Sequence, residues 1–262
     1  MGFVLYHATF NETGVPYIVE DVIRKLKDIK NTYVYCILTH SGFPGFTLEH
    51  VNLLMEQRGG KLSAGLTVRL GSPYSTREKL SHMVLKKTLT VDPAKEDTIR
   101  KRLTDYKMEE VSAFCEKVSE REEIELPRFN GLKRSLLSVF LSMQRKMAMQ
   151  RYLRLSGGHY PTFRELTMNA DRSFSVSKRC DGCGICSRVC PVGNIELSDK
   201  KPRWLHKCEN CYACFQWCPR GAIHGDIAEF EKRHHHPDIN LTDIMYTPPS
   251  NITEKYNLFL KE

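Results

Sequence analysis

Long apolar runs are missing from this 262-residue chain, and no window approaches the roughly 18 consecutive apolar residues of a membrane-spanning helix. The opening stretch has neither a cationic leader region nor a small-residue cleavage site, so no secretory signal is expected and the expected location is cytoplasmic. Tyr6 stands where a myristoylation motif wants Ser or Thr, which removes lipidation of Gly2. There is no Walker A loop: Gly59-Gly60-Lys61 runs into Leu62 rather than a hydroxyl residue. No recognisable nucleophile–base pair exists, so hydrolase chemistry has no support. Acidic residues are absent between Glu125 and Glu165, a stretch that holds Lys133, Arg134, Arg145, Lys146, Arg151 and Arg154.

What is present is cysteine, and its distribution is uneven. Eight of the ten cysteines fall between Cys180 and Cys218, which is ligand spacing rather than a disulfide framework. Cys36 and Cys115 stand apart in apolar stretches and are expected to be plain core residues. The first run is Cys180, Cys183, Cys186 and Cys190 followed by Pro191; the second is Cys208, Cys211, Cys214 and Cys218 followed by Pro219. Both read C-x2-C-x2-C-x3-C-P, and they repeat at an interval of 28 residues. Structural zinc takes four ligands, usually as two separated pairs, and fits two identical four-cysteine runs badly. A radical-SAM site needs C-x3-C-x2-C, and no cysteine follows Cys190 at that spacing.

The spacing suits 4Fe–4S cubanes. Three cysteines three apart on a looping chain reach three irons of one cluster, while the fourth is carried off by the turn before the proline and reaches the other. One cluster is therefore expected on Cys180, Cys183, Cys186 and Cys218, and a second on Cys208, Cys211, Cys214 and Cys190. Gly182 and Gly184 allow backbone N–H groups to turn toward the sulfurs. Ile185, Val189, Ile195, Tyr212, Phe215, Trp217 and Ile223 are expected to form an apolar shell. The formal charge of +8 counts every cysteine as neutral; with eight thiolates and two cores of about +2 each it falls to about +4. Nucleic acid is accordingly not expected as a partner.

Both runs resemble the bacterial two-cluster ferredoxin motif over residues 172–226, with every ligand position matched. The resemblance implies one-electron transfer at low potential.

Upstream, the pattern is α/β. Phe3 to Tyr6 reads as a strand, Ile18 to Ile29 recurs at helical spacing, and Tyr33 to Leu38 is a continuous run suited to a strand covered on both faces. Thr47 is a candidate N-cap for a helix carrying Val51, Leu54 and Met55; Leu62 to Val68 alternates as a third strand. Asp92-Pro93 opens another helix with Ile99, Leu103, Val111, Phe114 and Val118 as its buried stripe. A basic helix follows from about Leu132 to Leu155, ending at Ser156-Gly157-Gly158. Its Met- and Leu-rich stripe favours packing on a neighbouring domain, although an acidic lipid surface or RNA also suits such a helix. Residues 159–178 read as a linker. His234-His235-His236 reads as a surface turn rather than a metal site.

Taken together, an α/β region, basic helical material and a two-cluster ferredoxin resemble the fused flavodoxin-like and bacterial-ferredoxin proteins. That resemblance implies a multidomain α+β chain: a partial flavodoxin-like, doubly wound domain over 1–120, a basic helical connector over 121–171, the two-cluster module over 172–226 and a tail over 227–262. It also points to a flavin-ring loop at Thr39, Ser41, Gly42, Phe43 and Gly45. The Ser/Thr/Gly-rich phosphate loop that flavodoxins place after the first strand is missing, as if the chain were a fragment or had lost that half. FMN is thus a conditional expectation, because a flavin site uses both sides of the switch-point crevice. The expected function is electron transfer through two 4Fe–4S clusters, with a redox protein as partner, a flavoprotein among the candidates. The alternatives are a flavin-dependent oxidoreductase fed by the clusters and a nucleic-acid-binding protein whose clusters are structural.

Overall fold

The computed structural model describes residues 1–8, 11–40, 43–69, 107–127, 129–225 and 240–245. The chain divides into two compact units, one of residues 1–9 and 13–137, the other of residues 10–12 and 138–262.

The first unit is built on a parallel sheet of β1 (Gly2–Tyr6), β2 (Tyr35–His40) and β3 (Ala64–Arg69), in that spatial order. Val4 pairs with Ile37 and Ile37 with Leu66. Two helices make the crossovers, α1 (Tyr17–Lys25) and α2 (Thr47–Glu56). A strand order that advances in one direction puts both crossover helices on the same face. The packing agrees: Cys36 and Leu38 join Ile23 of α1 and Val51, Leu54 and Met55 of α2 in one core. Alternate residues of β2 face the other way. Ile37 packs with Ala64, Val68 and Phe114, the last on the helical residues 107–119, here α3. Coverage on both faces is why β2 reads as an unbroken apolar run rather than an alternating one.

Some local expectations shift. The helix expected to reach Ile29 stops at Lys25, although Leu26 and Ile29 remain buried. Thr47 is not the N-cap of α2 but its first residue, and Phe46 holds the cap position. The Thr47 hydroxyl donates to Pro44 O at 2.6 Å, and His7 Nδ1 lies 2.9 Å from Thr47 Oγ1. A side chain committed to those partners cannot turn back to cap its own helix. Cys36 is fully buried as expected, whereas Cys115 is exposed on α3. The helix opening at Asp92-Pro93, with Ile99 and Leu103, lies outside the described residues.

The long helix α4 (Gly131–Ser156) matches its expected span, and Gly157 follows it at φ +67°, the left-handed position that commonly ends a helix. Its stripe does not behave as expected. Leu132, Leu136, Val139, Phe140, Met143 and Met147 are all exposed, at 45 to 75%. The sequence is apolar on more than one side: Leu137, Leu141 and Ala148 lie on the partly buried face, so a tally of apolar residues could not tell which stripe packs.

In the second unit, Tyr152 and Leu155 at the end of α4 are buried with Leu166 and Ala170. Residues 159–178, read as a linker, carry α5 (Phe163–Met168), a 3-10 turn (Asn169–Ser173) and the short strand β4 (Ser175–Val176). α5 begins with a capping box: Glu165 N donates to Thr162 Oγ1 at 3.1 Å, and Thr162 N donates to Glu165 Oε2 at 3.1 Å. The T-x-x-E signal is present but opens too short an apolar run to be read as a helix. Among the described residues, no helix is long and apolar enough to cross a membrane.

Candidate metal centre

The cysteine runs fold as two copies of one unit. Each places a one-turn helix after its second cysteine, α6 (Ile185–Arg188) and α7 (Ala213–Gln216), 28 residues apart. The flanking strands repeat at the same interval. β5 (Ile195–Ser198) pairs with β6 (Lys201–Trp204), and β7 (Ile223–His224) pairs with β4. In one pair Ile195 faces Trp204; in the other Ile223 faces Val176, the counterparts shifted by one repeat. The repeat is therefore longer than the cysteine runs that announce it.

Backbone geometry repeats as well. Gly182 and Gly184 have φ of +76° and +74°, the left-handed conformation expected of them. Their counterparts are Asn210 at +52° and Tyr212 at +59°. Asparagine tolerates that region; for tyrosine it costs about 1 kcal/mol or more. Tyr212 is therefore held there by the loop's requirement and by its packing against the Tyr152–Leu166 core. Glycine in the first run made the constraint visible in sequence, and its absence in the second concealed it.

The eight cysteines separate into two groups, one around each of two small cavities. The first cavity is lined by Cys180, Cys183, Cys186 and Cys218, the second by Cys190, Cys208, Cys211 and Cys214. Each group thus draws three cysteines from one run and the fourth from the other. The electrostatics follow the two groups with one crossing, since Cys186 of the first group also raises the Cys214 thiol of the second. Burial, followed by the neighbouring Cys183, Cys218 and Cys180, pushes the Cys186 thiol up to about 11. Burial with Cys190 and Glu209 pushes Cys211 up to about 11, and Cys208 and Cys214 are also raised chiefly by burial.

The donor set suits clusters rather than single ions. All eight cysteines are free of disulfides. Among the described residues no three His, Cys, Asp or Glu side chains converge on one ion position, while a cubane holds each sulfur at a separate iron. Backbone N–H groups aim at the sulfurs: Asn194 N lies 3.2 Å from Cys190 Sγ and Ala222 N lies 3.3 Å from Cys218 Sγ, again 28 residues apart. Asn210 N lies 3.4 Å from Cys208 Sγ. Such contacts stabilise a charged thiolate over a neutral thiol.

The apolar shell is only partly as expected. Ile185 and Ile223 line the first cavity, and Ile195 and Tyr212 the second. Val189 and Phe215 are buried without lining either, and Trp217 lines neither. Sequence reading missed Leu197 and Pro202 at the first cavity and Phe174, Val192 and Trp204 at the second. Phe174 and Trp204 stack edge to face with centroids 5.5 Å apart. They lie on or beside the flanking strands, outside the motif that drew attention to the site.

Asp171 was missed as well. Its side chain is fully buried and bridges Asn194 Nδ2 at 2.8 Å and His206 Nδ1 at 2.6 Å. Asn194 Oδ1 in turn accepts from Lys207 N at 2.6 Å. The carboxylate thereby fixes the residue whose N–H meets Cys190 Sγ. It precedes the first cysteine in a stretch read as linker, so no spacing rule pointed to it.

The flavin-loop residues lie in the first unit. Thr39 is the last but one residue of β2, its hydroxyl donating to Leu5 O at 3.4 Å. Phe43 is exposed and meets Phe129 edge to face, and Gly45 takes φ +57°. Ser41 and Gly42 lie outside the described residues. At the same end of the sheet, His7 is partly buried beside His40 and Thr47, and burial with the nearby His40 lowers its pKa to about 4. Among the described residues the strand order never reverses, whereas a nucleotide crevice forms where it does.

A family model of the 4Fe-4S dicluster domain matches residues 179–223, which is less than half of the chain. Comparison with curated proteins and with solved structures returns no match for the chain. The C-terminal module is therefore a ferredoxin-type iron–sulfur module, joined to a parallel α/β unit.

Proposed function

We propose that this protein is an electron carrier holding two 4Fe–4S clusters, one on Cys180, Cys183, Cys186 and Cys218 and the other on Cys208, Cys211, Cys214 and Cys190. The observation that supports this most is the grouping of the eight thiols around two cavities, each taking its fourth cysteine from the opposite run. When bound, such clusters supply one-electron transfer at low potential. The chain's own part is to hold them and keep water away. The buried thiols resist losing their protons until metal takes their place, so ligation releases protons and couples to folding. Asn194, Asn210 and Ala222 present N–H groups to three sulfurs, and the apolar shell with Phe174 and Trp204 excludes solvent. Two cavities sharing the short segments between Cys186 and Cys190 and between Cys214 and Cys218 favour exchange between the clusters.

A domain order of sheet unit, basic connector and two-cluster module, and a likeness of the sheet unit to flavodoxins, belong to the same reading. Among the described residues the single-direction strand order weighs against FMN as a resident cofactor. Anaerobic reconstitution with iron, sulfide and flavin quantitation tests the whole reading. About eight irons and eight sulfides per chain are expected. Stoichiometric zinc without sulfide overturns it, and flavin retained through gel filtration moves the function to a flavin-linked oxidoreductase.

A further inference from the structure

We infer that the face around Cys180–Cys186 is the docking surface for a redox partner, and that the partner presents an acidic patch there. The inference rests on the electron-carrier reading and adds where the electron passes and to what kind of surface.

The two cavities are alike in ligands and different in surroundings. Cys183 is the exposed one of the eight clustered cysteines; the second group holds none that is exposed. The second cavity is closed in by the elements before the module. Cys208 N donates to Met168 O at 3.2 Å, Asn210 Nδ2 donates to Thr167 O at 3.1 Å, and the carboxylates of Asp171 and Glu209 are buried beside it. An incoming redox centre therefore gets closest at the first cavity.

The charge at that opening is net positive. Lys201 Nζ donates to Cys180 O at 2.8 Å, Arg188 to Cys183 O at 3.4 Å and Arg179 to Gly221 O at 2.8 Å. Arg220 Nε pairs with Asp181 Oδ2 at 2.8 Å. All four cations are exposed, and Asp181, the acid among them, is already neutralised. The adjoining hairpin adds Lys200 and Arg203 against Glu196 and Asp199, and so leaves the balance unchanged. Three of these cations are fixed to the backbone of the loops that carry the cysteines, so they hold one position relative to the site instead of sweeping through solvent. An acidic partner surface would meet a preset array, which steers encounter and fixes orientation. The transfer itself moves one electron from the protein's iron–sulfur site to a one-electron acceptor in the partner, a flavin or haem, with no proton required.

The test uses the cluster-replete full chain and measures binding, with an acidic flavodoxin as the probe and a basic cytochrome c as its charge-opposed counterpart. Titration calorimetry at about 20 and about 200 mM salt should show the acidic probe binding more than about tenfold more weakly at the higher salt. The pair Arg188→Glu/Lys201→Glu should weaken binding about tenfold, while Lys27→Glu/Lys30→Glu, which changes net charge equally on exposed residues of the first unit, should change it less than about twofold. Should the Glu pair lose iron, Arg188→Gln/Lys201→Gln gives the same comparison with a smaller step. Equal weakening by both pairs, preference for the basic probe, or tighter binding to duplex DNA than to the acidic protein would each overturn the proposal. Iron and sulfide counted on the same samples separate its failure from a failure of the electron-carrier reading.

Discussion

Replacing Asp171 by Ala should damage the second cavity selectively. The carboxylate side chain has no solvent exposure and accepts two hydrogen bonds, from Asn194 Nδ2 and His206 Nδ1. Its removal leaves two donors facing an apolar gap, and truncating one partner of a buried, charge-assisted network costs about 3–5 kcal/mol. The Asn194 side chain would then be tied only through its Oδ1 to Lys207 N, and with the backbone held by Leu205 N alone its own N–H would be less firmly fixed on Cys190 Sγ. With a urea slope of about 2 kcal/mol/M for a unit of this size, the midpoint for loss of visible absorption should fall by about 2 M. The assay is anaerobic urea titration of the reconstituted protein, with iron counted in the fraction that remains folded. The variant should lose iron from the Cys190, Cys208, Cys211 and Cys214 group before the other. A variant retaining full iron with a midpoint within about 0.2 M of the parent would refute the reasoning, because the bridge would then carry less than about 0.5 kcal/mol.

The remaining expectations concern ligands, capping and pH. The double variant Cys190→Ala/Cys211→Ala removes two ligands from one group in the crossed arrangement, so electron paramagnetic resonance should still show one intact 4Fe–4S signal; loss of both signals would mean that each run supplies its own four ligands. Thr162→Ala breaks the capping box of α5 and should lower stability of the second unit by about 1 kcal/mol in chemical unfolding; an unchanged midpoint would mean that α5 is held by packing alone. His7, whose pKa burial and His40 lower to about 4, is held neutral in the fold. Its contribution is therefore complete above the ordinary value of 6.5 and is lost as pH falls toward about 4. The first unit should unfold more readily across that window, and His7→Gln should flatten the dependence; a parent profile already flat there would contradict the assignment.

How much was legible in sequence depended on whether the constraint left a mark in residue type. Spacing and proline suggested the ligand groups, since few chemistries use two C-x2-C-x2-C-x3-C-P runs, and the cysteines of those runs line two cavities. The β1-α1-β2-α2-β3 order was legible because β2, packed on both faces, must be apolar throughout. The supporting parts were not. Asp171 is a single carboxylate with no motif around it, and its significance comes from three-dimensional proximity to Asn194 and His206. Tyr212 takes a left-handed conformation that its residue type disguises. The stripe of α4 misled because a helix apolar on two faces does not say which face packs.

A reductive titration of the reconstituted protein tests the central claim most directly. Dithionite added anaerobically, with absorption and paramagnetic resonance followed together, should bleach the visible band with uptake of about two electrons per chain, one for each cluster, and show two interacting paramagnets at the end point. Uptake of no electrons by protein that carries its full iron and sulfide would mean that the clusters are structural and that this is not an electron carrier.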